Sequence, residues 1–203
     1  MIPKDNYRIQ AEQAKKRFLT YDQSSLVKKF RLAHDDDYLY VRFLCKPYRI
    51  NRQTGDMEFR DGECWHDGNS YGEVMTLLDL LCDSRDDRWI SGSWQSMQTF
   101  GMQFHRNLLE DPADALAEAI DREPELLHRA CRTMGGQKIP GGDYGWAVEL
   151  FDGLKIGMLF WHGDEEFAPR IRWLWDANAK MYLRYETMHF AIGLLRRRLM
   201  EQM

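Results

Sequence analysis

Asp164, Glu165 and Glu166 fall between two apolar runs, one ending at Trp161 and the next opening at Arg170, so up to three carboxylates gather on one turn. Hard divalent cations such as magnesium and calcium are held by several converging oxygens. Alternate residues of an extended segment point the same way, which makes Asp164 and Glu166 the better pair. Asp143 and His162, at neighbouring strand ends, would reinforce them. One expectation is therefore a divalent cation held by Asp143, Asp164 and Glu166, with His162 as acid or base in a hydrolytic reaction. The same turn also reads as a solvated hairpin whose carboxylates cap backbone N–H groups.

A second group is aromatic. Trp161, Trp173 and Trp175 crowd the last third of the chain with Trp146, while Trp65, Trp89 and Trp94 are spread elsewhere. Indoles stack on flat ligands, although at alternating strand positions they also build cores. Trp161, Trp173 and Trp175 with Asp143 are thus the candidate ligand-binding set. Period two sets Trp161 on the face opposite Phe160, so that ring is the one to expect outside the main core.

Other chemistry is thinner. Cys64 and His66 stand two positions apart, between Gly62 and Gly68, where an exposed loop is expected. No second ligand pair has zinc-site spacing. His105, His128 and His189 are isolated on or beside expected helices. Gly135-Gly136 and Gly141-Gly142 precede a strand rather than a helix, which is wrong for a phosphate-binding loop. Nucleophile-elbow, kinase and zinc-helix motifs are absent.

The elements that must position these residues follow from periodicity. Tyr7, Ala11, Ala14 and Phe18, then Leu26, Val27, Phe30 and Ala33, predict two amphipathic helices. Tyr38 to Cys45, Pro47 to Asn51 and Met57 to Arg60 predict small strands around a Gly55-Asp56 turn. Ser70 and Glu73 form a capping box ahead of Val74, Leu77, Leu78 and Leu81. Asp111-Pro112 should start a helix bearing Leu116, Ala117 and Ile120. Glu123-Pro124 should start another, bearing Leu126, Leu127, Ala130, Cys131 and Met134, with Gly135-Gly136 as its left-handed stop. Tyr144 to Phe151, Lys155 to Trp161 and Arg170 to Trp175 predict an antiparallel meander, and Tyr185 to Leu199 a closing helix. The expected fold class is α+β, a mainly antiparallel sheet packed by N-terminal, central and C-terminal helices, in a single domain over residues 1–203.

Composition narrows the function classes. The 203 residues are 44% hydrophobic with a net charge of -4, which lacks the basic surplus that counterion release from nucleic acid exploits. Arg196-Arg197-Arg198 is the strong basic cluster, and its place near the end of the closing helix is explained by the helix dipole. No apolar stretch reaches the ~20 residues of a membrane span, and the amino terminus has no signal-peptide core. Cys45, Cys64, Cys82 and Cys131 form no C-x-x-C pair. A cytoplasmic protein with reduced thiols is expected, with neither nucleic acid nor membrane as partner.

Trp161-His162-Gly163-Asp164-Glu165-Glu166-Phe167 resembles the signature of the domain-of-unknown-function 3786 family. Gly142-Asp143 upstream, Trp175-Asp176 and Tyr182-Leu183 downstream, and Gly92-Ser93-Trp94 with Phe100-Gly101 and Phe104 are similar to its other positions. The likeness runs from about Tyr71 to the carboxyl end, with Trp175 standing where the pattern has phenylalanine. It implies no established activity and no iron–sulfur segment. The sequence therefore leaves three functions open: a cytosolic binding module for a small molecule or protein, a divalent-metal-dependent enzyme, or association through aromatic and methionine-rich surfaces.

Overall fold

The computed structural model describes residues 4–101 and 114–203. It is α+β, with six helices and two antiparallel five-stranded sheets among those residues. Its contacts group into two compact units, Met1–Trp89 with Met181–Ala191, and Ile90–Lys180 with Ile192–Met203. No helix among the described residues is long and apolar enough to cross a membrane.

The first unit opens with α1 (Lys4–Leu19) and α2 (Gln23–Phe30), the latter capped by the Asp22 carboxylate on Ser24 N–H. Ala11, Ala14, Phe18, Leu26 and Phe30 are buried at the spacing expected of them. Ala33 is not helical: Arg31 takes a left-handed φ of 52° that ends α2, and Ala33 belongs to the short strand β1 (Ala33–His34). The strands β2 (Tyr38–Phe43), β3 (Lys46–Asn51), β4 (Met57–Asp61) and β5 (Cys64–Asp67) follow as consecutive hairpins, in the order β1-β2-β3-β4-β5. Leu44 and Cys45 both have positive φ, the twist that matches a two-residue hairpin. Cys64 and His66 therefore sit on an edge strand, where pairing with β4 replaces the expected loop.

Helix α3 (Tyr71–Asp83) begins after Ser70 as expected, but the cap is built differently. The Ser70 hydroxyl donates to the Glu73 carboxylate instead of accepting a backbone N–H, and Tyr48 OH donates to the other Glu73 oxygen at 2.6 Å. Glu73 is only 4% exposed, so those donors offset its desolvation better than a solvent-facing cap would.

The second unit carries β6 (Trp94–Ser96), α4 (Ala115–Arg122), α5 (Pro124–Thr133), β7 (Gln137–Lys138), β8 (Tyr144–Phe151), β9 (Leu154–Trp161) and β10 (Arg170–Asp176). Its sheet order is β6-β10-β9-β8-β7. The expected start at Asp111-Pro112 lies outside the described residues; the cap of α4 is Asp114, whose carboxylate accepts from Leu116 N and Ala117 N at 3.0 and 3.3 Å. Gly135 closes α5 at φ 67°, and Gly136 N–H returns to Cys131 O at 2.7 Å.

Register aligns the apolar sets. Tyr144, Phe160 and Ile171 lie opposite one another, as do Trp146, Met158 and Trp173, and Val148, Ile156 and Trp175. They form one face of the sheet, because side chains two apart on a strand share a side.

The closing helix α6 (Tyr185–Gln202) contributes residues to both units and buries Met188, Ala191, Ile192, Leu195 and Leu199. Its arginine run is not a terminal charge cluster. The helix continues to Gln202 with no basic residue in its last turn. Arg196 instead grips both Asp114 oxygens at 2.6 and 2.9 Å, and Arg198 is 4% exposed. The run is explained by ion pairing and burial rather than by the helix dipole.

Candidate functional site

The turn after β9 is where the acidic cluster was expected to converge. Asp164 Oδ1 accepts the backbone N–H of Glu166 and of Phe167, both at 2.8 Å, so this carboxylate organises its own loop. Asp143 Oδ2 accepts His162 N–H at 2.8 Å, which joins the start of β8 to the end of β9. Asp164, Glu165 and Glu166 are exposed. Among the described residues no group of three or more His, Cys, Asp or Glu side chains could hold a metal ion. Of the expected set, the structure brings together Asp143 and His162.

The indoles separate by face. Trp173 and Trp175 are 3% and 0% exposed in the core, so neither ring meets a ligand unless the sheet opens. Burial in the aligned apolar face is the reason their expected ligand role does not fit. Trp161 is half-buried on the opposite face, with the Arg170 and Arg172 guanidiniums 4.8 and 5.3 Å from its ring centre.

The residue absent from the sequence reading is Asp121, in the last turn of α4. Its Oδ1 lies 2.7 Å from His162 Nδ1 and accepts Gly163 N–H at 3.1 Å. The contact holds the Asp121 carboxyl below the ordinary carboxylate range, chiefly through the hydrogen bond to His162. A carboxylate at a helix C-terminus faces the negative end of the dipole, and that misplacement was the one local signal of a tertiary partner.

Nδ1 must donate to this carboxylate, which leaves Nε2 of neutral His162 as an acceptor for Tyr144 OH at 3.2 Å. Asp121, His162 and Tyr144 thus form a chain able to move a proton. Replacing Asp121 with alanine should release the tautomer lock. Long-range 1H–15N spectra should show the Nδ1–H form of His162 in the parent and a mixture in the variant, and an unchanged pattern would remove Asp121 from this role.

Tyr144 stands between two imidazoles. Its ring is edge-on to His162 at 5.4 Å and to His128 at 4.8 Å, and stacked on Phe160 at 6.0 Å. His128 comes from α5 and accepts Trp146 Nε1–H at Nδ1, 3.1 Å away. Beside this pair lies a cleft of about 190 Å³, lined by His128, Lys138, Gly141, Gly142, Tyr144 and Trp146. Its rim exists because glycines permit it. Gly142 has φ 62°, and an added Cβ would stand 2.5 Å from Phe160 O.

A second depression borders the acidic loop, about 580 Å³ and wide open, with Asp121, Phe167 and Pro169 in its wall. Phe167 is 67% exposed there. His189 lies on α6. His105 falls outside the described residues.

Neither a search of curated proteins nor one of solved structures returned a match. The sequence profile described as "Domain of unknown function (DUF3786)" matches residues 22–198, beginning well before the Tyr71 that the motifs alone suggested. The profile thus spans the first unit from α2 onward and the unit containing the cleft up to residue 198, and the chain belongs to the DUF3786 family.

Proposed function

We propose that the protein is a cytoplasmic small-molecule-binding module whose ligand enters the cleft between α5 and the glycine loop ahead of β8. The observation that carries this reading is the convergence of two aromatic rings, an imidazole and an ammonium on one concavity of about 190 Å³. Binding sites combine an apolar surface with a few placed polar groups in this way. The volume is below that of sites for drug-sized ligands, and equals about six waters at ~30 Å³ each, so a compact ligand fits. Four free cysteines accord with a reducing compartment.

The test is an 15N-labelled NMR screen with small aromatic and polar fragments. Binding should move the backbone amides of residues 138–146 and the Trp146 indole N–H in a saturable way. A screen in which no fragment does so ends this reading.

A second reading, acid–base catalysis, is favoured by the Asp121–His162–Tyr144 chain of 2.7 and 3.2 Å contacts. Such a chain is the arrangement by which a phenol is made to give or take a proton. In this version His162 keeps the acid or base role first assigned to it, with Asp121 in place of the acidic turn as its partner. Dependence on a divalent cation through Asp143, Asp164 and Glu166 gains no support from the two carboxylates already turned to backbone N–H groups.

A further inference from the structure

We infer that the cleft is selective for a small oxyanion, a carboxylate or a phosphate group, recognised by His128 Nε2–H and the Lys138 ammonium. This inference rests on the cleft being a ligand site and adds the chemical class of its ligand.

The tautomer of His128 follows from its neighbour. Indole Nε1 carries a hydrogen and can only donate, so His128 Nδ1, 3.1 Å away, must carry the lone pair. The single proton of the neutral ring then sits on Nε2, which becomes a donor. Among the described residues no group accepts it. Protonating Nδ1 would turn two hydrogens toward each other. Burial lowers the His128 pKa first, and the charges of Lys138 and Arg132 lower it further, against Glu125, which raises it. Burial and the neighbouring cations therefore favour the neutral ring, in which Nε2 carries the proton.

Lys138 supplies the charge. It is exposed on β7, its ammonium is 5.8 Å from the Trp146 ring centre, and it forms no ion pair among the described residues. Its strand neighbour Gln137 is already engaged by Lys155 at 2.7 Å. The one carboxylate on the rim, Asp143, accepts from His162 N–H at 2.8 Å. In a chain of net charge -4, an unneutralised ammonium beside an unpaired imidazole donor is a feature that an oxyanion would satisfy.

The experiment is a 1H–15N titration of the whole protein with sodium phosphate, sodium acetate and phenol, at constant ionic strength set with sodium chloride. Phosphate or acetate should give saturable shifts at Lys138, Gly141, Gly142 and the His128 ring, with a dissociation constant on the order of 1 mM. Whichever of the two binds more tightly identifies the source of the oxyanion. Lys138→Ala should weaken that binding about tenfold, the loss of one charge-assisted contact, and Lys138→Arg should restore most of it. His128→Gln, which retains an N–H donor, should bind more tightly than His128→Ala.

Phenol shifting the cleft while neither anion does would overturn the oxyanion inference and leave the binding reading standing. Silence from all three probes would overturn the inference, and silence from the wider fragment screen as well would end the binding reading. Anion shifts unchanged in Lys138→Ala and His128→Ala would mean diffuse surface attraction and would likewise overturn it.

Discussion

Asp176→Ala should destabilise the protein by about 3 kcal/mol, the scale expected when several partly buried donors lose one buried charged acceptor. The carboxylate is 4% exposed and accepts four hydrogen bonds: Ser91 N and Oγ at 3.0 Å, and Gly92 N and Asn178 N at 2.8 Å. It thereby fixes the segment entering β6 against the end of β10, where Trp94 pairs with Asp176 and Ala177 N–H reaches Ser93 O at 2.8 Å. Alanine leaves those donors to whatever water can reach them, and Gly92 is the one that lies exposed. Asparagine should recover part of the loss, since its carbonyl can accept while its amide turns a donor toward the remaining N–H groups. Urea midpoints for the parent and both variants decide the matter. An alanine variant within about 0.5 kcal/mol of the parent would show that solvent serves these donors equally well.

Asp176 also shows where sequence reasoning stops. The Trp175-Asp176 pair was visible as a family-like position, but the four donors come from residues up to 85 positions away. What was legible is what one strand or helix decides by itself. The sets that start at Tyr144, Ile156 and Ile171 recur at every second residue, and the register puts all three on one face as period two requires. Trp161 falls on the other face for the same reason.

What was not legible depends on pairs distant in the chain. His162 stood out as a lone imidazole next to an acidic turn, and the turn drew attention to Asp164 and Glu166. The carboxylate that contacts the His162 imidazole is Asp121, 41 residues earlier at the end of a helix. Lone histidines gave no means of separating His128 from His189. Their difference is that Trp146, at a core position of β8, turns its N–H toward His128. The acidic loop illustrates the opposite error. Asp residues followed by turn positions satisfy local N–H groups first, and Asp164 does this with Glu166 and Phe167. A cluster of charges close in sequence is weak support for a site, because neighbouring side chains on a turn diverge more readily than they converge.

The glycines around the cleft allow the largest effect to be separated from generic loss of stability. Gly145→Ala should cost more than about 3 kcal/mol, or prevent folding of this sheet, since overpacking against backbone cannot be relieved by a rotamer change. Its added Cβ would stand 2.2 Å from Ile139 O and 3.1 Å from Gly141 O. Those carbonyls belong to the loop that walls the cleft, and Ile139 N–H already bonds Gly145 O at 3.0 Å. A methyl group there must push the loop off β8, so fragment or phosphate binding should disappear in any variant that still folds. Gly193→Ala in α6 is the matched control, because its Cβ would meet nothing within 4 Å. Helix propensity should make that variant more stable by about 0.5–1 kcal/mol, with ligand binding unchanged. Thermal and urea unfolding of the two variants should therefore move in opposite directions. If Gly145→Ala is as stable as Gly193→Ala, the loop is not seated on β8 as described, and a cleft walled by it loses its physical basis.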